Sequence, residues 1–179
     1  NGANAESVAE HVLMLILALY RQLLFHHNSI KQGTWTCLKY QNRGLSGKSL
    51  GIFGLGNTGK ALARRATAFG VKILYFDIQR QTNTEKELGL EFVFPEELLK
   101  KSDILSYHVP KTSYTRHLIN RNSLDKMKDG ALLINASRGD VHDENALYEA
   151  LVSKKLSGAG LDVFEKEPLP KKSPICKLD

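Results

Sequence analysis

The chain has 179 residues, 42% of them hydrophobic and 25% charged, an ordinary balance for a globular protein with one sizeable core. Its net charge of +6 comes from scattered lysines and arginines, so the pairs Arg64-Arg65, Lys100-Lys101, Lys154-Lys155 and Lys171-Lys172 read as solvated faces, not as a nucleic-acid surface, and the positive field suits an anionic cofactor and substrate. Cys37 and Cys176 form neither a metal spacing nor a disulfide framework, which points to a reducing, cytoplasmic setting and to no metal site.

The first predicted element is one long helix from Ala5 to about Ile30, apolar nearly all round. Its run Val12 to Tyr20 is too short to span a bilayer and follows Glu6 and Glu10, so neither a membrane span nor a signal peptide is expected. Such a helix needs cover on several sides, either within its own chain or from a second subunit in a homodimer. The first residue is Asn1, not methionine, and the chain reads as a piece of something longer. Gln32 to Gly47 is a polar connection. From Lys48 onward, strands are predicted near 49–53, 71–76, 91–94, 103–107, 131–135 and 157–161. Helices are predicted near 58–69, 95–101, 121–127 and 143–153, with a short helical turn at 84–88. Pro95 suits a first helical position, and Asp143-Glu144 is an acidic helix start. Strands alternating with helices predict a doubly wound parallel sheet, an α/β Rossmann architecture, with the long helix as an N-terminal hinge or dimerisation element. The division expected is 1–47 for helix and connecting arm and 48–179 for the nucleotide-binding domain.

Within that pattern Gly54-Leu55-Gly56-Asn57-Thr58-Gly59 joins the first strand to the following helix, and the next strand ends in Asp77, 18 residues beyond Gly59. Strand, glycine turn, helix, strand and acid form the dinucleotide-binding fingerprint in its required context. Gly54 permits the sharp turn, Gly56 lets a pyrophosphate approach the backbone, and Gly59 lets the helix pack closely. The free N–H groups of Asn57, Thr58 and Gly59 would face the phosphates. Asp77 would accept hydrogen bonds from the adenosine ribose and repel a 2′-phosphate, favouring NAD over NADP; Arg80 is a counter-signal, because an arginine there can accommodate that phosphate. The plainer alternative is a glycine turn beside a capping aspartate.

Polar and special-backbone residues recur at the other strand ends: His108-Val109-Pro110, Ala136-Ser137-Arg138-Gly139, and Asp162 with Glu165 and Glu167-Pro168 beyond it. Ligands of open parallel sheets bind at these carboxyl ends, so the convergence predicts a working cleft.

The same segments carry a resemblance. Asn4-Ala5-Glu6-Ser7-Val8-Ala9-Glu10-His11, the stretch Leu45 to Gly56, Ser102 to Pro110, Met127 to Gly139, and Gly158 to Pro170 resemble the D-isomer-specific 2-hydroxyacid dehydrogenases over nearly the whole chain. The resemblance implies an oxidoreductase that passes a hydride between NAD(H) and a small 2-hydroxy or 2-oxo acid. It implies that Arg138 grips the substrate carboxylate, that Glu167 orients and charges a catalytic histidine, and that Asp162 lies near the nicotinamide carboxamide. Val109, Pro110, Ala136, Ser137 and Arg138 itself would line the cofactor. The residue-level alternatives are a structural ion pair for Arg138, a solvated loop acid for Glu167 with Glu165 so near, a turn or cap role for Asp162, and plain packing for the rest.

The implied histidine belongs to a Pro-His-Ile-Gly-like motif downstream of the residues present here. Of the six histidines, His11, His26 and His27 fall on the long helix or its end. His117 and His142 read as surface residues, and His108 reads as a packed or hydrogen-bonded residue at the cleft, with acid/base work the lesser reading. Thr58 and His142 depart from the family pattern, which has isoleucine and an apolar residue there. The expectation is an NAD-binding domain that holds cofactor but turns over little by itself. An NAD-sensing, non-enzymatic module like the family's corepressor branch is the competing reading; a methyltransferase is disfavoured by the Asn-Ala-Ser-Arg-Gly and Asp-Val-Phe segments.

Overall fold

A computed structural model of the chain describes residues 2–35 and 44–178. Cys37 and the middle of the connecting arm lie outside the described residues. Helices α1 (Ala5–Tyr20) and α2 (Leu23–Lys31) precede a regular alternation: β1 (Ser49–Phe53), α3 (Asn57–Ala66), β2 (Lys72–Phe76), α4 (Thr82–Leu88), β3 (Glu91–Phe92), α5 (Pro95–Lys101), β4 (Ile104–Tyr107), α6 (Arg121–Lys126), β5 (Ala131–Asn135), α7 (Glu144–Val152) and β6 (Leu156–Leu161). The six strands form one all-parallel sheet in the order β3-β2-β1-β4-β5-β6. This is the predicted doubly wound Rossmann fold, and the order reverses between β1 and β4, where a crevice opens beyond the strand ends.

The two-residue period of the strands sorts their side chains into two apolar layers. Leu50, Ile52, Ile73, Tyr75, Ile104, Leu132 and Ile134 meet α1 and α3 on one face. Phe53, Leu74, Leu105, Tyr107 and Leu133 meet α5, α6 and α7 on the other. Both faces are covered, which is why the strands read as near-continuous apolar runs. Helix starts follow local chemistry. Pro95 opens α5, the Asn120 side chain accepts the Ser123 N–H to cap α6, and Asp143 accepts the N–H groups of Asn145 and Ala146 to cap α7.

The single long helix of the sequence reading is corrected. The chain breaks after Tyr20, Gln22 takes the left-handed conformation at φ 47°, and α1 and α2 meet at 58°. The break is tertiary in origin. Ala9, Val12, Leu13 and Ile16 of α1 are buried, and the backbone of β6 comes close, with Leu15 over Gly160 and Leu19 over Gly158. Beyond Tyr20 this cover ends, and Leu23, Leu24 and Ile30 of α2 are exposed. Among the described residues no single helix is long and apolar enough to cross a membrane. Arg65 of α3 ties α1 down through Glu6 (2.5 Å) and Glu10 (3.2 Å).

Candidate functional site

The three glycines of the turn are needed for three different reasons. Gly54 has φ +97°, and a Cβ on it would stand 2.5 Å from the His108 carbonyl oxygen. A Cβ on Gly59 would stand 2.2 Å from the Gly54 carbonyl oxygen, so this glycine lets α3 close onto the turn. Gly56 differs: its φ of −74° suits any residue, and a Cβ there would point into open space. Nothing in the described protein demands glycine at 56; a ligand lying against that backbone would. Gly56 is also the N-cap of α3 and offers no side-chain oxygen to the first-turn N–H groups, and that turn carries no acid. The positive end of the helix therefore faces the crevice uncompensated.

Asp77, at the end of β2, braces this turn. One oxygen accepts the Leu55 N–H at 2.6 Å and the other the Gln79 N–H at 3.1 Å. Neither N–H belongs to a helix, so the helix-capping role weighed for it from sequence is not the one seen: Asp77 ties the glycine turn to its own loop, and the partly exposed carboxylate keeps lone pairs for further donors. Arg80, the counter-signal, is turned back onto Glu85, which it grips through Nε (2.8 Å) and Nη2 (2.9 Å).

Gly56, Asn57, Thr58, Val109, Pro110, Ala136, Ser137 and Arg138 line one cleft of about 350 Å³, together with His108 and with Gly2, Asn4 and Val8 from the start of the chain. The crossover at β1, the end of β4 and the end of β5 thus meet around one space. Arg138 is exposed, and its Nη1 donates to the Ser137 carbonyl at 2.5 Å. His108 bonds Ser106 Oγ through Nε2 at 2.9 Å, and burial pushes its imidazole down to about 4. A ring held neutral to that pH is a poor proton donor at pH 7, so the packed reading of His108 holds.

Asp162 and Glu167 do not line this cleft. The Asp162 carboxylate lies 3.5 Å from His11 Nε2 on α1. Glu167 accepts the Phe164 N–H at 3.0 Å and is exposed. Its neighbour Glu165 is committed elsewhere: it contacts His117 Nε2 at 3.0 Å and accepts the Glu144 N–H at 3.1 Å at the start of α7. Gly139 brings the two loops together, because a Cβ on it would collide with the Phe164 carbonyl oxygen at 1.7 Å. The segment carrying Glu165 and Glu167 therefore lies against the turn that carries Arg138.

Two residues gain roles that sequence reasoning missed. Asn135, fully buried at the end of β5, accepts the Ser137 N–H (3.0 Å) and Oγ–H (2.8 Å) and donates to the Arg138 carbonyl (3.0 Å). It shapes the turn that presents Arg138; the available signal was an asparagine ending an apolar strand just before a turn. His142, read as a surface residue, is corrected: it is fully buried, and its Nδ1 lies 2.9 Å from Asn135 Nδ2. The segment that carries it forms a bridge with Ile119, which places the ring behind the turn instead of in solvent. Burial lowers its basicity.

Residues 13–179 match the model of the D-isomer specific 2-hydroxyacid dehydrogenase NAD binding domain. The chain belongs to this family. Within the D-2-hydroxyacid dehydrogenases it is 43% identical to a glyoxylate reductase of Korarchaeum cryptofilum, over 99% of this chain and 55% of the relative. It is 47% identical to a hydroxypyruvate reductase of Thermotoga maritima, over 93% of this chain and 54% of the relative. Its fold superposes with TM-score 0.90 on a D-lactate dehydrogenase of Aquifex aeolicus solved with NAD and lactic acid, at 37% identity, covering 97% of this chain and 56% of that one. The chain spans about half the length of these relatives. The resemblance read from the motifs is thereby borne out.

Proposed function

We propose that this chain is the cofactor-holding half of a dehydrogenase that moves a hydride between NAD(H) and C2 of a small 2-hydroxy or 2-oxo acid. The observation that carries the reading is Gly56, a glycine with no conformational or packing reason of its own at the bare start of a helix. Diphosphate oxygens take the N–H groups of that first turn, and Asp77 takes the ribose hydroxyls. Val109, Pro110, Ala136 and Ser137 form the floor under the nicotinamide; Asp162, outside the cleft lining and 3.5 Å from His11 Nε2, would have to leave that contact to reach its carboxamide. The cofactor supplies the hydride; the chain supplies orientation and charge. Arg138 grips the acid's carboxylate with two parallel N–H donors and draws electron density from the adjacent carbonyl. Glu167 is a positioning residue: it orients and charges a histidine contributed from outside the cleft described above, which exchanges the hydroxyl proton.

On this reading residues 1–47 supply the hinge helix and arm, residues 48–179 bind cofactor, and the remaining half of the relatives' length holds the acid's side chain. The exposed apolar residues of α2 fit a homodimer contact, and the function suits the cytoplasm. The test is a titration of NADH fluorescence on the chain and on Gly56→Ala. The expected result is binding by the native chain, at least about tenfold weaker binding by the variant, and an unchanged melting temperature. Equal affinity in both proteins would refute the placement of the diphosphate.

A further inference from the structure

Arg80 lies three residues past Asp77, where a cation would meet a ribose 2′-phosphate, yet it is held away from that task. Its guanidinium makes a two-point contact with Glu85, through Nε at 2.8 Å and Nη2 at 2.9 Å, and lies over the Phe92 ring, 5.1 Å from the centroid. Glu85 is itself fixed. Its Oε1 accepts the hydroxyl of the fully buried Tyr75 at 2.5 Å, and the Tyr75 oxygen accepts the Gln81 N–H at 3.0 Å. The partner that holds Arg80 is therefore anchored to the sheet through β2. Lys60, the cation reaching this loop from α3, is also engaged, donating to Gln81 Oε1 at 2.8 Å. Arg64, one turn further along α3, pairs with Glu87 at 3.2 Å.

We propose that Glu85 is a specificity-determining residue: by holding Arg80 against Phe92 it withholds the positive charge that a 2′-phosphate needs, and so restricts the site to NAD(H) over NADP(H). The inference rests on the cofactor reading above and deepens it. Asp77 and Glu85 act differently. Asp77 repels the phosphate directly, whereas Glu85 withholds the loop's arginine as its counter-charge. A bidentate arginine–carboxylate pair stacked on an aromatic ring is the surface arrangement least readily surrendered to a competing anion. The hydrogen bond from Arg80, followed by that from Tyr75, holds the Glu85 carboxyl down at about 2, so the grip persists through the physiological range.

The experiment titrates NADH and NADPH, by fluorescence, on the chain and on Glu85→Gln, Arg80→Ala and the double variant. Glu85→Gln is expected to tighten NADPH binding by about fivefold or more while NADH changes less than about twofold. Adding Arg80→Ala should abolish the gain. Arg80→Ala alone should leave NADPH binding as it was, because the arginine is already withheld; this exposed substitution reports even if Glu85→Gln unfolds. Three results would overturn the proposal: no gain in Glu85→Gln, a gain that survives removal of Arg80, or weaker NADPH binding in Arg80→Ala alone. Failure of the native chain to bind either dinucleotide would instead refute the cofactor reading and this inference with it.

Discussion

The two ends of the cleft are built differently. At the β1–β2 end, the turn and loop around the candidate cofactor site are braced from within. Gly54 and Gly59 sit where a side chain would strike a backbone carbonyl, Asp77 holds the turn, and Tyr75, Glu85 and Gln81 hold the loop beyond it. At the β5–β6 end, the polypeptide backbone is equally determined, through Asn135 and Gly139, but the side chains proposed to act are exposed. Among the described residues Arg138 donates to its neighbour's carbonyl and Glu167 accepts a backbone N–H. On the proposed reading a dinucleotide's phosphates would be met by main-chain groups, whose placement is the fold itself. An acid substrate would be met by long side chains, which can be left exposed because their ordering would come with the ligand.

The sharpest break between the ends is expected from Arg138→Ala. If the proposed function holds, reduction of a 2-oxo acid by the full-length protein should fall by about a thousandfold or more, roughly 4 kcal/mol of lost transition-state contact, while NADH affinity and melting temperature stay nearly unchanged. Steady-state rates beside a fluorescence titration would show this; a rate that survives would remove Arg138 from the reaction. Gly59→Ala should do the reverse. The added methyl meets a carbonyl that cannot retreat, so a loss of about 2–3 kcal/mol is expected in urea unfolding, with NADH binding lost alongside. A variant of native stability would mean that α3 can shift off the turn.

A smaller effect is expected from pH. His108 and His142 are both held neutral by burial, below the ordinary histidine value of 6.5, with His108 at about 4. An unfolded chain takes up these protons first, so the stability they permit is complete above about pH 6.5 and declines as pH falls towards 4. Roughly 1–2 kcal/mol should be lost across that window, and His108→Gln should flatten the slope of melting temperature against pH. Glu85 acts lower, its contribution fading only between its ordinary 4.5 and about 2. A flat profile between pH 6.5 and 4 would show that water reaches these rings.

Much of the fold was legible because its signals are local. Leu50 and Ile52, Ile104, and Leu132 and Ile134 alternate with residues of the opposite face, and Pro95, Asn120 and Asp143 mark helix starts by chemistry that acts within three residues. The glycine turn was legible for the same reason: φ at Gly54 and the approach at Gly59 are demands of a single crossover. What was not legible depends on surfaces brought from far along the chain. No proline or glycine announces the break at Gln22; it falls where the cover given by β6 ends. His142 is polar in sequence and buried in fact, because Ile119 pairs beside it and Asn135 meets its ring. Arg80 beside Asp77 argues for one cofactor when read along the chain and for the other once Glu85, Tyr75 and Phe92 are seen around it. Sequence alone determined the alternating sheet, its crossovers and the phosphate turn, since each is decided by neighbours a few bonds away. Tertiary structure decided which charges stay available and that His142 stays dry, since water and counter-charge are excluded only by elements that meet in three dimensions.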